Sequence, residues 1–252
     1  MAVGMLRTVI AALVAIPAAL VLRLALPRGR RQWRLLAVSA LSGFVAFPLL
    51  FTIGLRYTSA SHAALILAAL PIFTGLFAAA ADRRAPSIRW AAGAALALAG
   101  EVFLIAFRVG FGPQGQAAGD AIVGDILIVS GGLAASLGYV AGGRLASQTS
   151  SWSTTLWGIG LAGIVLAPAL WLLPGSWTWA GPIIWLSVAY LAIGSSILAY
   201  VAWYWALDRG GVARIGLVQF AQPVLTVLLG VALLGETVTA PLVLSAARSE
   251  ER

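Results

Sequence analysis

The segments ILAALPIFTGLFAAA (residues 66–80) and VQFAQPVLTVLLGVA (residues 218–232) are two copies of one pattern, and this pattern decides the fold. An ungapped offset of 152 residues aligns 54–81 with 206–233 and gives seven identities. Each copy places a proline, Pro71 or Pro223, about eight residues into an apolar stretch. A proline in that position removes a backbone hydrogen bond and kinks a helix. The paired prolines therefore indicate an internal repeat of kinked helices.

The chain around these copies has the composition of a membrane protein. Of its 252 residues, 61% are hydrophobic and only 10% are charged, which is far from the usual composition of a soluble domain. A run of about 20 apolar residues crosses the hydrocarbon core of a bilayer. Eight such runs are predicted, and the short links between them leave no room for a soluble domain. They cover approximately residues 3–26, 35–56, 62–81, 90–107, 121–144, 153–173, 184–207 and 215–234.

The arginines predict how these helices are oriented. The links after the first, third, fifth and seventh helices hold ten arginines, whereas the other three links hold two. Basic residues concentrate in cytoplasmic loops, so the first helix is predicted to run from outside to inside in a multi-pass protein of the inner (plasma) membrane. The net charge of +8 is spread over loops rather than over one solvated patch. No nucleic-acid partner is therefore expected.

The repeat is inverted with respect to the membrane. Its copies are five helices apart, and an odd separation reverses the direction in which a helix crosses the bilayer. Inverted repeats with broken helices near the midplane are typical of secondary transporters. Counted from the prolines, the first copy lacks its initial helix and the second copy lacks its final one. We therefore expect an all-α membrane protein with about eight transmembrane helices, built from two inverted five-helix repeats (residues 1–110 and 119–247) that are each incomplete.

The second copy continues through QPVLTVLLGVALLGE (residues 222–236), a proline helix that runs into a leucine-rich stretch and a Gly-Glu pair. The first copy has LPIFTGLFAAAADRR (70–84) in the same place, with Asp82 near its end. Together with GLRYTSASHAALIL (54–67), WAAGAALALAGEVFLI (90–105) and GYVAGGR (138–144), these segments resemble the EamA-type transporters of the drug/metabolite transporter superfamily. The resemblance implies ten helices, of which this chain lacks the first and last, and export of small metabolites or drugs.

Amide side chains beside the second proline are candidate substrate ligands. Gln219 and Gln222 precede Pro223, and amides at membrane depth either bridge helices or line a cavity. The kink at Pro223 frees backbone carbonyls at the same level. Because only apolar residues precede Pro71, a site walled by both prolines is expected to be asymmetric.

The seventh helix supplies a second group of candidates, Ser195, Tyr200 and Trp203. Small residues permit close approach of helices, and aromatic rings that face a cavity can stack on an organic solute or a cation. The competing interpretation is an aromatic belt at the membrane interface. That interpretation is preferred for Trp205.

Four ionisable residues fall within or near the predicted spans. Glu101 lies deep in the fourth helix, where it is a candidate proton carrier or a carboxyl hydrogen-bonded to a neighbouring helix. Asp125 is expected to cap the start of the fifth helix, where the helix dipole favours a carboxylate. Arg7 and His62 are expected to extend to the outer interface.

These observations favour a secondary transporter, an exporter of small metabolites, amino acids or drugs that works by alternating access. The expected partners are a small organic solute and the lipid bilayer, with no cofactor and no metal; coupling ion and oligomeric state stay unassigned. The chain has no cysteine and no GxxxxGK loop, which argues against thiol chemistry and ATP-driven transport. A truncated nonfunctional fragment or partner subunit is the main alternative. A membrane-embedded enzyme is disfavoured because the eight acids and single histidine are scattered.

Overall fold

The computed structural model describes residues 2–109, 118–171, 181–222 and 225, and in these ranges every regular element is helical. Among the described residues, five helical stretches are long and apolar enough to cross a membrane. Three further apolar helices are shorter. These eight stretches have the order and positions of the eight predicted spans. The prediction of an all-α membrane protein is confirmed.

The helices are labelled in chain order. Five of them are α1 (Ala2–Val21), α2 (Gly29–Gly54), α4 (Ile88–Val109), α5 (Ala118–Ala146) and α6 (Ser151–Trp171). The others are built of consecutive pieces: α3 (Ala60–Leu67 and Leu70–Asp82), α7 (Pro182–Tyr190, Leu191–Leu198 and Ala199–Gly210) and α8 (Val212–Gly216 and Leu217–Ala221).

Departures from regular α-helix recur at the same offset as the sequence repeat. Residues Ser39–Ala46 of α2 and Leu191–Leu198 of α7 are both π-helical, and the two segments have equal length and begin 152 residues apart. α3 and α8 also begin 152 residues apart, at Ala60 and Val212. The backbone thus follows the internal repeat, while the repeat boundaries at 1–110 and 119–247 stay a prediction.

Both proline helices are irregular immediately before their prolines. α3 is interrupted at Ala68 and Ala69, and Pro71 opens its second piece. α8 narrows to a 3₁₀-helix over Leu217–Ala221, just before Pro223, which lies outside the described residues. Proline disfavours α-helical backbone in the residue before it and cannot donate a hydrogen bond to the preceding turn. The sequence expectation of broken helices holds for α3 and for the described part of α8.

α1 and α6 cross in close contact because small residues line both helices. A methyl group at Gly163 would lie 2.1 Å from the Cβ of Ala12, and one at Gly160 would lie 2.9 Å from Ile16. Ala11 is fully buried at the same crossing. The small residues thus allow a close crossing of α1 and α6.

α5 packs against α2 and α3 to form the α2–α3–α5 bundle. Gly138 of α5 faces Gly43 so closely that a methyl group there would lie 2.8 Å from the Gly43 backbone. Near the other end, Gly54 leaves room for Ile128, whose side chain would be 2.7 Å from an added methyl. The first helix of the second half is therefore packed into the first half.

Polar side chains link α3 to α5 at both ends of this bundle. Arg144 pairs with Asp82 at what we term the basic face, the end of the molecule that also carries Arg31 and Arg84. At the opposite face, the Asp125 carboxylate accepts a hydrogen bond from the Thr58 hydroxyl at 2.6 Å.

The carboxylate of Asp125 also lies 3.3 Å from Nδ1 of His62. The expectation that Asp125 caps α5 is wrong, because α5 begins seven residues earlier at Ala118. His62 lies near the start of α3 with its side chain 53% exposed, in line with the expectation, and it also contacts Asp125 of α5. The two residues join α3 to α5.

Candidate substrate site

Five aromatic side chains meet where α2, α5 and α7 converge, and we term them the aromatic cluster. Ring centroids are 4.5 Å apart for Phe44 and Tyr200, 5.5 Å for Tyr139 and Trp203, and 6.0 Å for Tyr200 and Tyr204. These separations lie in the range in which tilted and edge-on aromatic pairs attract one another. Phe44 and Tyr204 belong to the buried core around α1, α6 and α7, and the other three rings pack against that core.

The spacing of aromatic residues on α7 produces this arrangement. Tyr200, Trp203 and Tyr204 are separated by three and four residues, so they share one face of the helix. Trp205 lies on another face, is 53% exposed and has the Arg209 guanidinium 5.4 Å from its ring. The structure therefore brings the predicted residues Tyr200 and Trp203 together. It leaves Trp205 at the periphery, as the belt interpretation expects.

Tyr204 is held in a fixed position by contacts with both halves of the chain. Its hydroxyl is 2.9 Å from the Ser39 hydroxyl, and both residues are fully buried. Its ring lies over Gly142 of α5, where an added methyl group would be 2.3 Å from Cε1. Only glycine fits at this position. The sequence had not singled out Ser39, Gly142 or Tyr204 as a unit, because the partners are far apart in the chain.

The two π-helical segments flank the aromatic cluster. Phe44 lies inside the first segment, and Tyr200 follows the second by two residues. Ser196 donates its hydroxyl to the Leu191 carbonyl at 3.0 Å, which satisfies a backbone acceptor in the widened turn. The predicted site residue Ser195 is half-buried in the same segment. π-helical turns occur often at functional sites, because they change the direction of neighbouring side chains.

A buried hydroxyl network lies beside Pro71 and was missed by the sequence analysis. Thr74 and Ser136 are both fully buried, and their hydroxyls are 3.1 Å apart. Both donate to the Leu70 carbonyl, at 3.0 and 3.3 Å. Pro71 itself is buried at the start of the second piece of α3. The available signal was the identity of Thr74 and Thr226 in the repeat alignment.

The predicted amides have different environments. Gln219 lies in the 3₁₀ segment of α8, which packs on α3 and α4, and its Oε1 is buried without a hydrogen-bond partner. Gln222 is exposed, and Pro223 lies outside the described residues. Trp203 in the aromatic cluster carries a buried Nε1 without a partner. Gln219 thus carries a buried acceptor, and Trp203 a buried donor, for which the described residues offer no partner.

Glu101 lies within α4, but its side chain is outside the described residues. Its assignment as a candidate proton carrier therefore stays a prediction.

A cleft at the basic face continues into a groove between α2 and α5. A cavity of about 510 Å³ is lined by Arg31, Asp82, Arg84 and Arg144, among others. It shares residues with a groove of about 250 Å³ between α2 and α5. The groove reaches residues 38 and 140, which adjoin Ser39 and Tyr139 in sequence. Among the described residues, the lining of the cavity and of the groove includes no member of the aromatic cluster.

Comparison with known proteins agrees with this architecture. The EamA-like transporter family matches residues 1–106 and 122–248. YdeK of Bacillus subtilis (strain 168), which is named as an uncharacterized transporter, is 29% identical over 205 residues, covering 81% of this chain and 68% of YdeK. An uncharacterized transporter of Archaeoglobus fulgidus is 27% identical over 208 residues, with the same coverages.

A solved crystal structure superposes on 98% of this chain and 84% of its own chain, with a TM-score of 0.79. Its sequence identity of 24% means that it supports the fold alone. The family match covers both halves of the chain and almost all of the helices described above. This chain belongs to the EamA-like transporter family.

Proposed function

We propose that the protein is a secondary transporter that exports small organic solutes from the cytoplasm by alternating access at the aromatic cluster. The observation that carries the proposal is the composition of the cluster. Phe44 and Tyr139 come from the α2–α3–α5 bundle, whereas Tyr200, Trp203 and Tyr204 come from α7. A relative movement of these two parts would separate or join the two walls of one solute site.

The bundle is suited to move as a unit. Its helices are in backbone contact at Gly138, and its two ends are joined by the Asp82–Arg144 and Asp125–His62 pairs. Links at both ends oppose sliding or splaying of α3 against α5. The movement that exposes the cluster is therefore assigned to the boundary between the bundle and α7.

The cleft at the basic face supports the proposed direction. Its lining includes Arg31, Arg84 and Arg144, which belong to the set that predicts the cytoplasmic side. We place this face in the cytoplasm, with the protein in the inner membrane of the cell. Solute would then enter through the cleft and leave at the opposite face.

The remaining candidates have proposed roles in the same cycle. Gln219 supplies an unpaired acceptor to polar groups of the solute, and Ser195 lies in the π-helical segment of α7. Pro71 and Pro223 weaken α3 and α8 where these helices must bend. Glu101 is the proposed proton-coupling residue, since a carboxylate at membrane depth marks ion pathways in transporters.

A growth assay tests the proposed function. Cells lacking their main efflux systems would express the wild-type protein and be exposed to toxic amino-acid analogues and aromatic biocides. We expect resistance to at least one compound. Tyr200→Ala should weaken solute binding about two- to tenfold through loss of an aromatic contact worth about 0.5–1.5 kcal/mol, and resistance should fall accordingly.

Trp205→Ala is the matched control, because it removes an exposed aromatic ring from the same helix. It should leave resistance unchanged at equal membrane abundance. Equal resistance in cells with wild-type protein and Tyr200→Ala would contradict the assignment of the site.

A further inference from the structure

Arginines from three parts of the chain converge on the cleft at the basic face. Arg31 comes from the first turn of α2, Arg84 from the link between α3 and α4, and Arg144 from the last turn of α5. In the described lining, these three guanidinium groups face one carboxylate, that of Asp82, which pairs with Arg144. The preference of arginine for cytoplasmic loops explains why all of them lie on one face. It does not explain why they surround one cavity of about 510 Å³.

The backbone around the cleft favours an anion and fixes where Arg84 lies. α3 ends at the left-handed residue Arg83, and the amides of Arg83 and Arg84 donate to the carbonyls of Ala80 and Ala79 at 3.2 and 3.0 Å. This Schellman arrangement satisfies the last carbonyls of α3 and sets the direction of the chain that follows. Arg31 lies at the start of α2, where the positive end of the helix dipole adds to the attraction for an anion.

An apolar groove leads from the cleft along the membrane-crossing helices α2 and α5. It shares Arg31 and Arg144 with the cleft, and its deeper walls are the apolar residues Leu35, Val38, Leu137, Val140 and Ala141. Val38 is 36% exposed and Leu137 is 42% exposed, so the groove has an open side. Leu137 precedes Arg144 by seven residues, which at 1.5 Å per residue places it about 10 Å further along the helix. The groove thus runs from a cationic end to an apolar end.

We propose that the cleft and the groove together bind an anionic phospholipid of the cytoplasmic leaflet. Its phosphate would lie among Arg31, Arg84 and Arg144, and the upper part of one acyl chain would lie between α2 and α5. Arginine suits a phosphate because its planar fork donates two parallel hydrogen bonds, and basic pockets between helices on the cytoplasmic side bind lipid headgroups. A small free phosphate would use the cleft alone, whereas a lipid complements both the charge of the cleft and the apolar groove.

The cleft is also the proposed solute entrance, so a bound headgroup would narrow that entrance. The inference goes beyond the proposed function and does not rest on solute transport. Its test therefore contains no solute.

Native mass spectrometry of the purified full chain in a neutral detergent tests the inference. Three probes would be titrated: dioleoylphosphatidylglycerol, dioleoylphosphatidylcholine and inorganic phosphate. The two lipids share their acyl chains and differ in net charge, whereas inorganic phosphate carries charge without a chain. We expect phosphatidylglycerol to bind about tenfold or more tightly than phosphatidylcholine, since each arginine near a headgroup contributes about fivefold. Inorganic phosphate at the same concentration should not displace it.

Two double variants that remove equal charge assign this preference to the cleft. Arg31→Gln combined with Arg84→Gln removes two arginines of the lining and should weaken phosphatidylglycerol binding about 10- to 30-fold. Arg30→Gln combined with Arg89→Gln is the control. It removes two exposed arginines that are close in sequence to the first pair but absent from the described lining of the cleft and of the groove. The control should change binding by less than about threefold, because salt screens charges beyond about 8 Å.

Three outcomes would overturn the inference. They are equal affinity of the wild-type protein for the two lipids, equal loss of phosphatidylglycerol binding in the two double variants, and displacement of phosphatidylglycerol by an equal concentration of inorganic phosphate. The last outcome would assign the cleft to a small anion. The wild-type probes decide even if a double variant does not fold. Lipid preference without resistance in the growth assay would refute only the proposed function, and resistance without lipid preference would refute only this inference.

Discussion

Replacement of Gly142 by alanine is expected to disrupt the candidate site from within. The new methyl group would lie 2.3 Å from Cε1 and 2.6 Å from the hydroxyl oxygen of Tyr204. Because ordinary contacts between such atoms are about 3.5 Å or longer, the ring must move by about 1 Å. Tyr204 is fully buried. The movement would also break its 2.9 Å hydrogen bond to Ser39.

The magnitude follows from these two effects. Overpacking of a well-filled core costs about 1–3 kcal/mol, and a buried hydroxyl left without its partner costs about 1–3 kcal/mol. We therefore expect Gly142→Ala to lower the free energy of unfolding by about 2–5 kcal/mol. For a chain of this size, the apparent Tm should fall by about 5 °C or more.

Thermal unfolding of the detergent-solubilised protein, followed by intrinsic tryptophan fluorescence, measures this effect. Gly93→Ala is the matched control, because nothing lies within 4 Å of a methyl group at that helical position. It should be neutral or slightly stabilising, since alanine favours helix over glycine by about 1 kcal/mol. A Gly142→Ala protein with the Tm of Gly93→Ala would refute the packing of Tyr204 described here.

Three further perturbations test other contacts of the structure. Gly138→Ala places a methyl group 2.8 Å from the backbone of α2. The substitution should lower the free energy of unfolding by about 1–3 kcal/mol. A Tm equal to that of the wild type would contradict the close crossing of α2 and α5. Thr74→Val should cost about 1–3 kcal/mol by leaving the Ser136 hydroxyl with a single weak partner, whereas Thr74→Ser should be close to wild type in the same unfolding assay. Asp82→Asn should change stability by less than about 1 kcal/mol, because the Asp82 side chain is 60% exposed; a large loss of Tm would show that its pair with Arg144 contributes more than a surface ion pair.

The sequence was sufficient for features that are encoded locally. Hydropathy determined the eight helical stretches, and Pro71 marked the irregular segment of α3 through its own covalent geometry. The face shared by Tyr200 and Trp203 followed from helical periodicity. Each of these depends only on residues within a few turns of one another.

Features that depend on which helices pack against each other could not be predicted from the sequence. Ser39 and Tyr204 are 165 residues apart in the chain, and their hydrogen bond exists only because α2 and α7 meet. Asp125 was assigned to a helix terminus because its partner on α3 was unknown. The π-helical turns contain no distinctive residue type and depend on packing around them.

The most direct test of the central proposal measures distances across both faces as the solute site opens and closes. The chain contains no cysteine, so two introduced cysteines can be spin-labelled specifically. One pair, Arg84→Cys and Asp208→Cys, spans the basic face between the bundle and α7. The other, Tyr57→Cys and Ile183→Cys, spans the opposite face, and all four positions are exposed.

Pulsed electron paramagnetic resonance in nanodiscs, with and without a compound selected by the growth assay, would report both distances. Alternating access predicts that one distance lengthens while the other shortens. Distances that both stay constant, or that change in the same direction, would contradict alternating access at the aromatic cluster.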